Sequence, residues 1–339
     1  MPLRFGINGL GRVGRALLRA AHGRQDLQLA AVNDVVPSHV LARLLARDTV
    51  HGPFAAAVHA VAGGLEIGGG FVAVFQEDDP ARLDWARHGV EVVVEASGRF
   101  LRRERAAAHL GGTVRQVVLS ANADPADPAD VTVCLGLNEG AFDPARHAVV
   151  SNASCTTNCL ALVAKVLHDR FGVRRALMSA VHSYTENQRL LDLPHSDPRR
   201  SRAAGLNIVP TSTTAPEALG LLLPELAGRV EGLHVRVPTP MVAMLDLVAD
   251  LEREATAESV RQAFREAAQG PLEGWLGVTE EELVSSDFVN DPRSAVVDLP
   301  LVQVVGGGLA RVAAWYDNEW GYAHRLADLL DRLASRRMD

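Results

Sequence analysis

Three glycines near the N terminus constrain the fold of this chain more than any other feature of its sequence. Gly9, Gly11 and Gly14 are spaced as G-x-G-x-x-G and lie between an apolar run and a helix-like run. In a dinucleotide-binding fold, such glycines let the backbone turn tightly and approach a pyrophosphate at a helix N terminus. Glycines alone could merely shape a turn, but Asp34 follows Gly14 by twenty residues, at the end of a second apolar run. A carboxylate there accepts from a ribose hydroxyl and repels the 2′-phosphate of NADP, so we predict a Rossmann-type NAD site.

Apolar runs alternate with helix-like runs through the first 151 residues. Leu27–Asn33, Val90–Glu95 and Gln116–Ser120 are such apolar runs, each long enough for one buried strand. This alternation predicts βαβ units on a mostly parallel sheet. Glycine clusters punctuate two further runs, Val58–Val61 and Phe71–Phe75, which we predict to form an antiparallel excursion from that sheet.

The pattern changes after residue 151. A long helix pattern runs from Cys155 to about Phe171, and a final helix pattern covers Tyr322–Leu333. Between them, Leu233–Val237 and Ala243–Leu251 alternate with a period of two, which is typical of an antiparallel sheet with one solvated face. We therefore predict an α/β protein with a dinucleotide-binding domain over 1–151, an α+β catalytic domain with a mainly antiparallel sheet over 152–317, and a C-terminal helix over 318–339 that returns to the first domain.

Charge and cysteine usage exclude several classes of function. The chain has 34 basic and 41 acidic residues, a net charge of −7, so nucleic-acid binding has no general electrostatic support. No apolar stretch approaches the ~18 residues of a membrane span, and no N-terminal segment has the pattern of a signal peptide. The chain has three cysteines, which is a small and odd number and therefore does not suit a disulfide framework. We expect a cytoplasmic protein without a metal, a membrane or a nucleic-acid partner.

The segment SNASCTTNC, residues 151–159, contains the candidate nucleophile. Cys155 stands at the start of the long helix pattern, with Ser154 as its predicted N-cap. The helix dipole and the free backbone N–H groups there should lower the pKa of the thiol and can stabilise an oxyanion. Cys134 and Cys159 fit buried structural roles instead.

A nucleophilic thiol needs a base within hydrogen-bond reach, and the chain has twelve histidines. His182 follows the apolar run Ala176–Val181 and precedes the polar segment SYTENQR, so it should emerge from a strand into a loop. A protonated imidazole there would also help to hold the thiolate. Position alone does not decide between His182 and the other histidines.

Six segments together resemble a known family. They are INGLGRVGR, SNASCTTNC, HSYTENQR, LPHSDPRRSRAA, RVPTP and WYDNEWGY, and the match extends over the whole chain. In this order and spacing they are similar to the phosphorylating glyceraldehyde-3-phosphate dehydrogenases. The resemblance implies that the Cys155 thiolate attacks an aldehyde, that His182 takes the hydroxyl proton as hydride passes to NAD, and that inorganic phosphate cleaves the thioester. It also implies a homotetramer.

The resemblance assigns residues to both phosphate groups. Thr185 and Arg236 would hold the phosphate of the substrate, and Arg200 lies in the same cation-rich segment, where Arg199 and Arg202 are equally consistent with a solvated or subunit-facing loop. The attacking phosphate would be held by hydroxyl side chains, namely Ser154, Thr156 and Thr213, with Thr214 beside them.

For the cofactor, the resemblance implies that Asn318 orients the nicotinamide carboxamide. The pair Leu193–Pro194 matches NAD-using rather than NADP-using members. Further cofactor contacts are expected from Arg12, Val13, Ser97, Ser120 and Tyr322.

Several positions depart from the family pattern. Thr214 and Glu217 stand where a glycine and a lysine are usual, and both lie beside the expected site of the attacking phosphate. Asn187 replaces a common aspartate near the substrate phosphate, and Asp78 and Asn122 replace an arginine and a proline near the adenosine. No catalytic group is lost, but the phosphate-dependent second step is put in question.

Two other functions stay open at this point. Erythrose-4-phosphate dehydrogenase uses water as the acyl acceptor, and the altered segment Thr214–Glu217 favours it, whereas Tyr184–Thr185 favours the triose enzyme. A non-catalytic NAD-binding regulator is disfavoured, because Cys155 and His182 are both intact.

Overall fold

The chain divides into two units in the computed structural model, which describes residues 1–335. The first unit contains residues 1–133, residues 138–153 and residues 323–335. The second contains residues 134–137 and 154–322. Each unit is built on its own main sheet.

The first unit is an open sheet with helices between its parallel strands. Its strands are β1 (Leu3–Asn8), β2 (Leu27–Asn33), β3 (Arg47–Asp48), β4 (Gly52–Pro53), β5 (Val58–Val61), β6 (Gly64–Ile67), β7 (Gly70–Phe75), β8 (Val92–Glu95), β9 (Gln116–Leu119), β10 (Val131–Thr132) and β11 (Val149–Ser151). Its helices are α1 (Arg12–Ala21), α2 (Ser38–Ala46) and α3 (Arg103–Ala106). Within residues 1–335, nine of these strands form one sheet in the order β10-β11-β9-β8-β1-β2-β7-β6-β5, parallel from β10 to β7.

Continuous apolar runs explain the parallel part of this sheet. Every residue of β8 is buried, including Glu95, as expected where both faces of a sheet are covered. Trp85 packs so closely on β1 that a Cβ at Gly6 would come within 2.7 Å of the indole ring. The bounds predicted for β2, Leu27–Asn33, are confirmed.

The predicted antiparallel excursion over Val58–Val61 and Phe71–Phe75 is confirmed, but these two strands do not pair with each other. A strand that the sequence reading missed, β6, lies between β5 and β7 and pairs antiparallel with both. The glycines on each side of β6 make this possible, because Gly63, Gly68 and Gly69 all adopt positive φ in the two tight turns. β7 then joins the main sheet parallel to β2.

The second unit is a mixed, mainly antiparallel sheet with helices. Its strands are β12 (Val173–Ser183), β13 (Val209–Thr211), β14 (Val230–Val237), β15 (Ala243–Leu251), β16 (Leu276–Thr279), β17 (Ala295–Asp298), β18 (Gln303–Val305) and β19 (Leu309–Tyr316). The remaining helices of the chain are α4 (Cys155–Phe171), α5 (Ala215–Leu222), α6 (Ala257–Ala268) and α7 (Trp320–Ser335). In the part of the chain that the structure describes, the sheet order is β13-β14-β12-β15-β19-β17-β16, with β18 on β19.

Strand register in the second unit sets the position of the functional side chains. β12 pairs parallel with β14, which places His182 opposite Arg236, and antiparallel with β15, which places His182 opposite Ala243. The parallel pairing of β14 differs from the antiparallel neighbours predicted for it, although the sheet as a whole is mainly antiparallel. Among residues 1–335, no helix combines the length and the apolar character needed to cross a membrane.

Candidate active site

The candidate nucleophile is the first residue of α4. The Ser154 hydroxyl caps this helix by accepting from the Thr157 N–H at 3.1 Å, as predicted. The start of a helix leaves backbone N–H groups without helical acceptors, so the Cys155 sulfur lies where such donors can stabilise negative charge. Cys134 and Cys159 are fully buried.

β12 brings His182 to this thiol. The Nε2 of His182 lies 3.8 Å from the Sγ of Cys155. The imidazole is buried, and its Nδ1 lies 2.8 Å from the carbonyl oxygen of Ser183. A general base requires the tautomer with its proton on Nδ1, donating to that carbonyl, and with the lone pair of Nε2 facing the thiol. Nδ1 also contacts Nη1 of Arg236, which can only donate, so this tautomer requires Arg236 to donate to the Ser183 carbonyl alone.

Burial favours the neutral form of both the thiol and the imidazole. Burial raises the pKa of the Cys155 thiol, although the Thr156 hydroxyl and the Arg236 charge act in the opposite direction. Burial also lowers the pKa of His182 well below its usual value, and the positive charge of Arg236 adds to this. The expectation that the helix start would give a lowered thiol pKa is therefore wrong, because burial outweighs it. The expected imidazolium is likewise not the resting state.

Two arginines lie near this pair. Arg236 donates from Nη1 to the Ser183 carbonyl at 2.9 Å and also contacts Nδ1 of His182. Its burial lowers the pKa of the guanidinium. Arg200 donates from Nε to the Thr211 hydroxyl at 2.7 Å, and Thr211 lies on β13, the strand next to β14. The structure thus places one cationic donor, Arg236, beside the base, while Arg200 pairs with Asp197.

The predicted hydroxyl ligands already make hydrogen bonds within the protein. The Thr156 hydroxyl is buried and lies 2.9 Å from the Tyr316 hydroxyl. The Thr213 hydroxyl accepts from the Ala215 N–H at 3.2 Å, at the start of α5. Thr185 is half-buried, and its backbone N–H donates to the Gln188 side chain. A hydroxyl has both a donor and two acceptor lone pairs, so these contacts leave capacity for a ligand.

Thr214 and Glu217, which depart from the family pattern, lie at the N terminus of α5. Thr214 is the N-cap position and is exposed. Glu217 is exposed in the first turn, where an acidic side chain is favoured by the helix dipole. Glu217 therefore stabilises the start of α5 without any ligand. Its negative charge also opposes the binding of an anion at this helix N terminus.

Asn318 is joined to the catalytic strand through a serine. Asn318 is buried, and its Oδ1 accepts from the Ser183 hydroxyl at 3.1 Å. The preceding Asp317 caps α7 by accepting from the N–H groups of Glu319 and Trp320. Tyr322 is buried and lines a narrow crevice together with Cys155, Asn158 and Tyr316.

The glycine loop of the first unit fits a pyrophosphate. Gly9 has φ +94°, and a Cβ there would meet the Ser97 backbone at 2.6 Å. A Cβ at Gly14 would lie only 2.1 Å from the Gly9 carbonyl oxygen. The lack of a side chain at Gly14 therefore lets α1 pack closely against the loop. At Gly11, the N-cap of α1, a Cβ would meet nothing within 4 Å. This open backbone beside a helix N terminus is what a phosphate group requires.

Asp34 lies at the carboxyl end of β2, next to this loop. Its Oδ2 accepts from the Leu10 N–H at 2.7 Å and its Oδ1 from the Val36 N–H at 3.0 Å. These bonds orient the carboxylate and leave acceptor sites for a ribose hydroxyl.

The other predicted cofactor residues lie at the same ends of the strands but have protein partners. Arg12 forms an ion pair with Asp48, and Val13 is half-buried in the first turn of α1. Burial alone would raise the pKa of Asp48, but backbone N–H donors and Arg12 lower it to about 2. The Ser97 hydroxyl donates to Glu95 at 2.5 Å, and the Ser120 N–H donates to the Glu95 carbonyl at 3.0 Å.

Sequence reasoning missed three residues of this site. Ser183 and Tyr316 each hydrogen-bond a predicted residue, and His234 packs against His182 with 5.2 Å between ring centroids. One sequence signal was available for His234: it lies two residues before Arg236, and side chains at that spacing share a face of a strand. Within the described residues, no group of three His, Cys, Asp or Glu side chains could hold a metal ion.

Comparison with known proteins identifies the family. Residues 3–103 match the model described as glyceraldehyde 3-phosphate dehydrogenase, NAD binding domain, and residues 154–318 match the corresponding C-terminal domain. The chain is 48% identical to glyceraldehyde-3-phosphate dehydrogenase 1 of Bacillus subtilis over 99% of each chain, and equally to the enzyme of Geobacillus stearothermophilus. It is 46% identical to glyceraldehyde-3-phosphate dehydrogenase 2 of Streptomyces arenae over 99% of each chain. The chain belongs to the glyceraldehyde-3-phosphate dehydrogenase family.

Proposed function

We propose that this protein catalyses the NAD-dependent oxidative phosphorylation of D-glyceraldehyde 3-phosphate to 1,3-bisphosphoglycerate. The observation that carries the proposal is the pairing of Cys155 at a helix start with the Nε2 of His182, 3.8 Å from the sulfur. A helix-start thiol beside a neutral imidazole is suited to nucleophilic attack on an aldehyde. The relatives bearing this enzyme name support the choice of substrate.

The chain's own residues account for the covalent steps. The Cys155 sulfur bonds to the aldehyde carbon, and its proton passes through His182 to the carbonyl oxygen. The resulting hydroxyl is stabilised by the backbone N–H groups of α4. His182 removes the hydroxyl proton as the carbon loses hydride, which leaves a thioester. An oxygen of inorganic phosphate then attacks the thioester carbon, the C–S bond breaks, and the acyl phosphate leaves. The sulfur recovers its electron pair and takes the proton back from His182.

The first unit would hold NAD at its glycine loop. Gly9, Gly11 and Gly14 provide the backbone for the pyrophosphate, and Asp34 accepts from the adenosine ribose. Asn318 would orient the carboxamide, and we propose additional contacts from Arg12, Val13, Ser97, Ser120 and Tyr322. When bound, NAD supplies the hydride acceptor.

Cofactor preference tests the role of Asp34. We expect Asp34→Ala to weaken NAD binding roughly tenfold, the effect of losing a hydrogen bond to a charged acceptor, and so to narrow the preference for NAD over NADP. Asp34→Asn is the matched control, because its amide oxygen still accepts from the Leu10 N–H but carries no charge to repel NADP. The measurement is kcat/KM with each cofactor. A wild-type protein that uses both equally well contradicts the assignment.

Each phosphate group has its own proposed donors. Thr185 and Arg236 hold the substrate phosphate, with Arg200 as a further cation behind them. Hydroxyl groups hold the attacking phosphate, namely Ser154, Thr156, Thr213 and Thr214. The support for Arg236 is its position, since its guanidinium lies beside His182 and is largely shielded from water.

Phosphate affinity tests the unusual N terminus of α5. Because Glu217 places a carboxylate there and Thr214 fills the space of a glycine, we expect a raised KM for inorganic phosphate with an ordinary KM for NAD. The double change Thr214→Gly with Glu217→Lys should lower the phosphate KM several-fold and leave the aldehyde KM nearly unchanged. If the phosphate KM stays where it was, these positions do not border the site.

One experiment separates the proposed function from its nearest alternative. NADH formation is measured with glyceraldehyde 3-phosphate and with erythrose 4-phosphate, each with and without inorganic phosphate. The proposal expects the triose substrate to be preferred and turnover to need phosphate. Preference for erythrose 4-phosphate without a need for phosphate would favour the erythrose enzyme, which the altered residues Thr214 and Glu217 make the second candidate.

We also propose a cytoplasmic homotetramer. The loop after His182 exposes large apolar side chains that a subunit interface would cover, namely Leu190, Leu191, Leu193 and Leu206. Light scattering should give the mass of four chains, and a monomer mass would contradict this proposal.

A further inference from the structure

A second histidine is buried directly against the proposed base. His234 lies on β14, opposite Ala180 on β12 and Thr211 on β13. Only 8% of His234 is exposed, and its ring centroid is 5.2 Å from that of His182, with 32° between the ring planes. The two buried imidazoles therefore lie close together with their planes inclined by 32°, so the position of one ring limits the rotation of the other.

The hydrogen bonds of His234 define its tautomer. Its Nδ1 lies 3.4 Å from the Nη2 of Arg236. A guanidinium can only donate, so Nδ1 accepts and the ring proton is on Nε2. The same guanidinium donates from Nη1 to the Ser183 carbonyl at 2.9 Å. His234 and Ser183 thus hold the two ends of the Arg236 fork.

This arrangement is costly, which argues that it has a use. The Nε2 of His234 is buried and has no hydrogen-bond partner among residues 1–335. A buried N–H without an acceptor is rare, and an apolar ring would pack in the same place without that cost. Burial and the charges of Arg236 and Arg200 lower the pKa of His234 to about 3. The ring is therefore neutral at physiological pH and able to accept from Arg236.

We propose that His234 is a positioning residue that acts through both of its neighbours: its ring fixes the plane of His182, and its Nδ1 fixes the guanidinium of Arg236 where the substrate phosphate is held. The second half of this inference rests on the proposed role of Arg236. The two contacts use different parts of the imidazole, so two substitutions can separate them.

His234→Phe keeps a flat ring against His182 and removes the acceptor for Arg236. We expect the KM for glyceraldehyde 3-phosphate to rise roughly tenfold, because a hydrogen bond to a charged group is lost, while kcat changes little. The same variant should use D-glyceraldehyde, which has no phosphate, with an unchanged kcat/KM. A general loss of structure would affect both aldehydes alike.

His234→Asn makes the opposite change. Its amide oxygen can take the place of Nδ1 and accept from Arg236, but the ring that packs on His182 is gone. We expect the KM for glyceraldehyde 3-phosphate to stay near the wild-type value and kcat to fall with both aldehydes. His234→Ala should show both defects. A KM that is raised in His234→Ala but near the wild-type value in His234→Asn would therefore establish the role of the Arg236 contact, even if His234→Phe does not fold.

His168→Asn is the matched control. His168 lies near the other end of α4 from Cys155, and its Nδ1 accepts from the Val173 N–H at 3.1 Å. It should leave both KM and kcat unchanged. Melting temperature and NAD binding establish that each variant is folded.

The outcomes separate this inference from the proposed function. If the His234 variants change KM and kcat together for both aldehydes, or change neither, His234 is a packing residue and the inference is overturned. If the wild-type protein itself shows no preference for the phosphorylated aldehyde, the proposed role of Arg236 and the proposed substrate fail instead.

Discussion

Cys155→Ser should lower dehydrogenase turnover roughly 10⁴-fold or more, while NAD binding stays close to that of the wild-type protein. A serine hydroxyl has a far higher pKa than a thiol and is a much weaker nucleophile at neutral pH, and burial lowers the pKa of His182, which makes it a weaker base than a free imidazole. Nothing in the glycine loop or at Asp34 is altered. Steady-state NADH formation and calorimetric titration with NAD measure the two quantities.

Cys159→Ala provides the control for this substitution. Cys159 lies one helical turn after Cys155, is fully buried, and has a thiol pKa raised well above its ordinary value by burial. Losing its sulfur should cost about 1 kcal/mol of stability and leave turnover intact. A thiol reagent applied to the folded wild-type protein should modify Cys155 and spare the buried Cys134 and Cys159. Substantial turnover in Cys155→Ser would remove Cys155 as the nucleophile.

Local sequence signals were sufficient for the elements that carry the site. The apolar run of β1, the glycine loop and α1 follow each other within 21 residues, and the N-cap Ser154 marks the start of α4. These features depend on neighbours along the chain, so composition and periodicity predict them. The placement of Cys155 at a helix start and of His182 at a strand end follows from the same signals.

Contacts between distant segments were beyond the sequence pattern. β6 has only four residues between two glycine turns, and its strand character comes from pairing on both sides. A period of two shows which residues of β14 share a face but not that β14 runs parallel to β12. That register places Arg236 opposite His182. It also places His234 near His182, because His234 lies two residues before Arg236 and shares its face of β14.

The electrostatics of the thiol depended on burial, which no local pattern reveals. The helix start favours a thiolate, and the sequence therefore predicts a lowered pKa for Cys155. In the folded chain, burial dominates and raises that pKa. The same burial lowers the pKa of His182. The resting pair is thus a thiol and a neutral imidazole, and the base must act during the reaction rather than before it.

His182→Asn should therefore lower the rate of hydride transfer roughly 10²–10⁴-fold, the usual contribution of a positioned general base. Asparagine keeps a polar group near the Ser183 carbonyl but has no atom at the place of Nε2, which faces the Cys155 sulfur. Single-turnover NADH formation measures this step. His168→Asn, the same substitution away from the thiol, should leave the rate unchanged.

Alkylation of Cys155 shows whether His182 acts as a base or as an ion-pair partner. The thiol pKa lies above its ordinary value of 9.0, so the reactive thiolate fraction should rise about tenfold per pH unit between neutral pH and that pKa. The His182 pKa lies well below 6.5, so His182 carries no charge over this range and does not stabilise the thiolate. Iodoacetamide alkylation should consequently show the same pH dependence in the wild-type protein and in His182→Asn, despite the large difference in hydride transfer. A wild-type alkylation rate that is already at its plateau at neutral pH, and that falls in His182→Asn, would instead demonstrate a thiolate–imidazolium pair and contradict the neutral resting state.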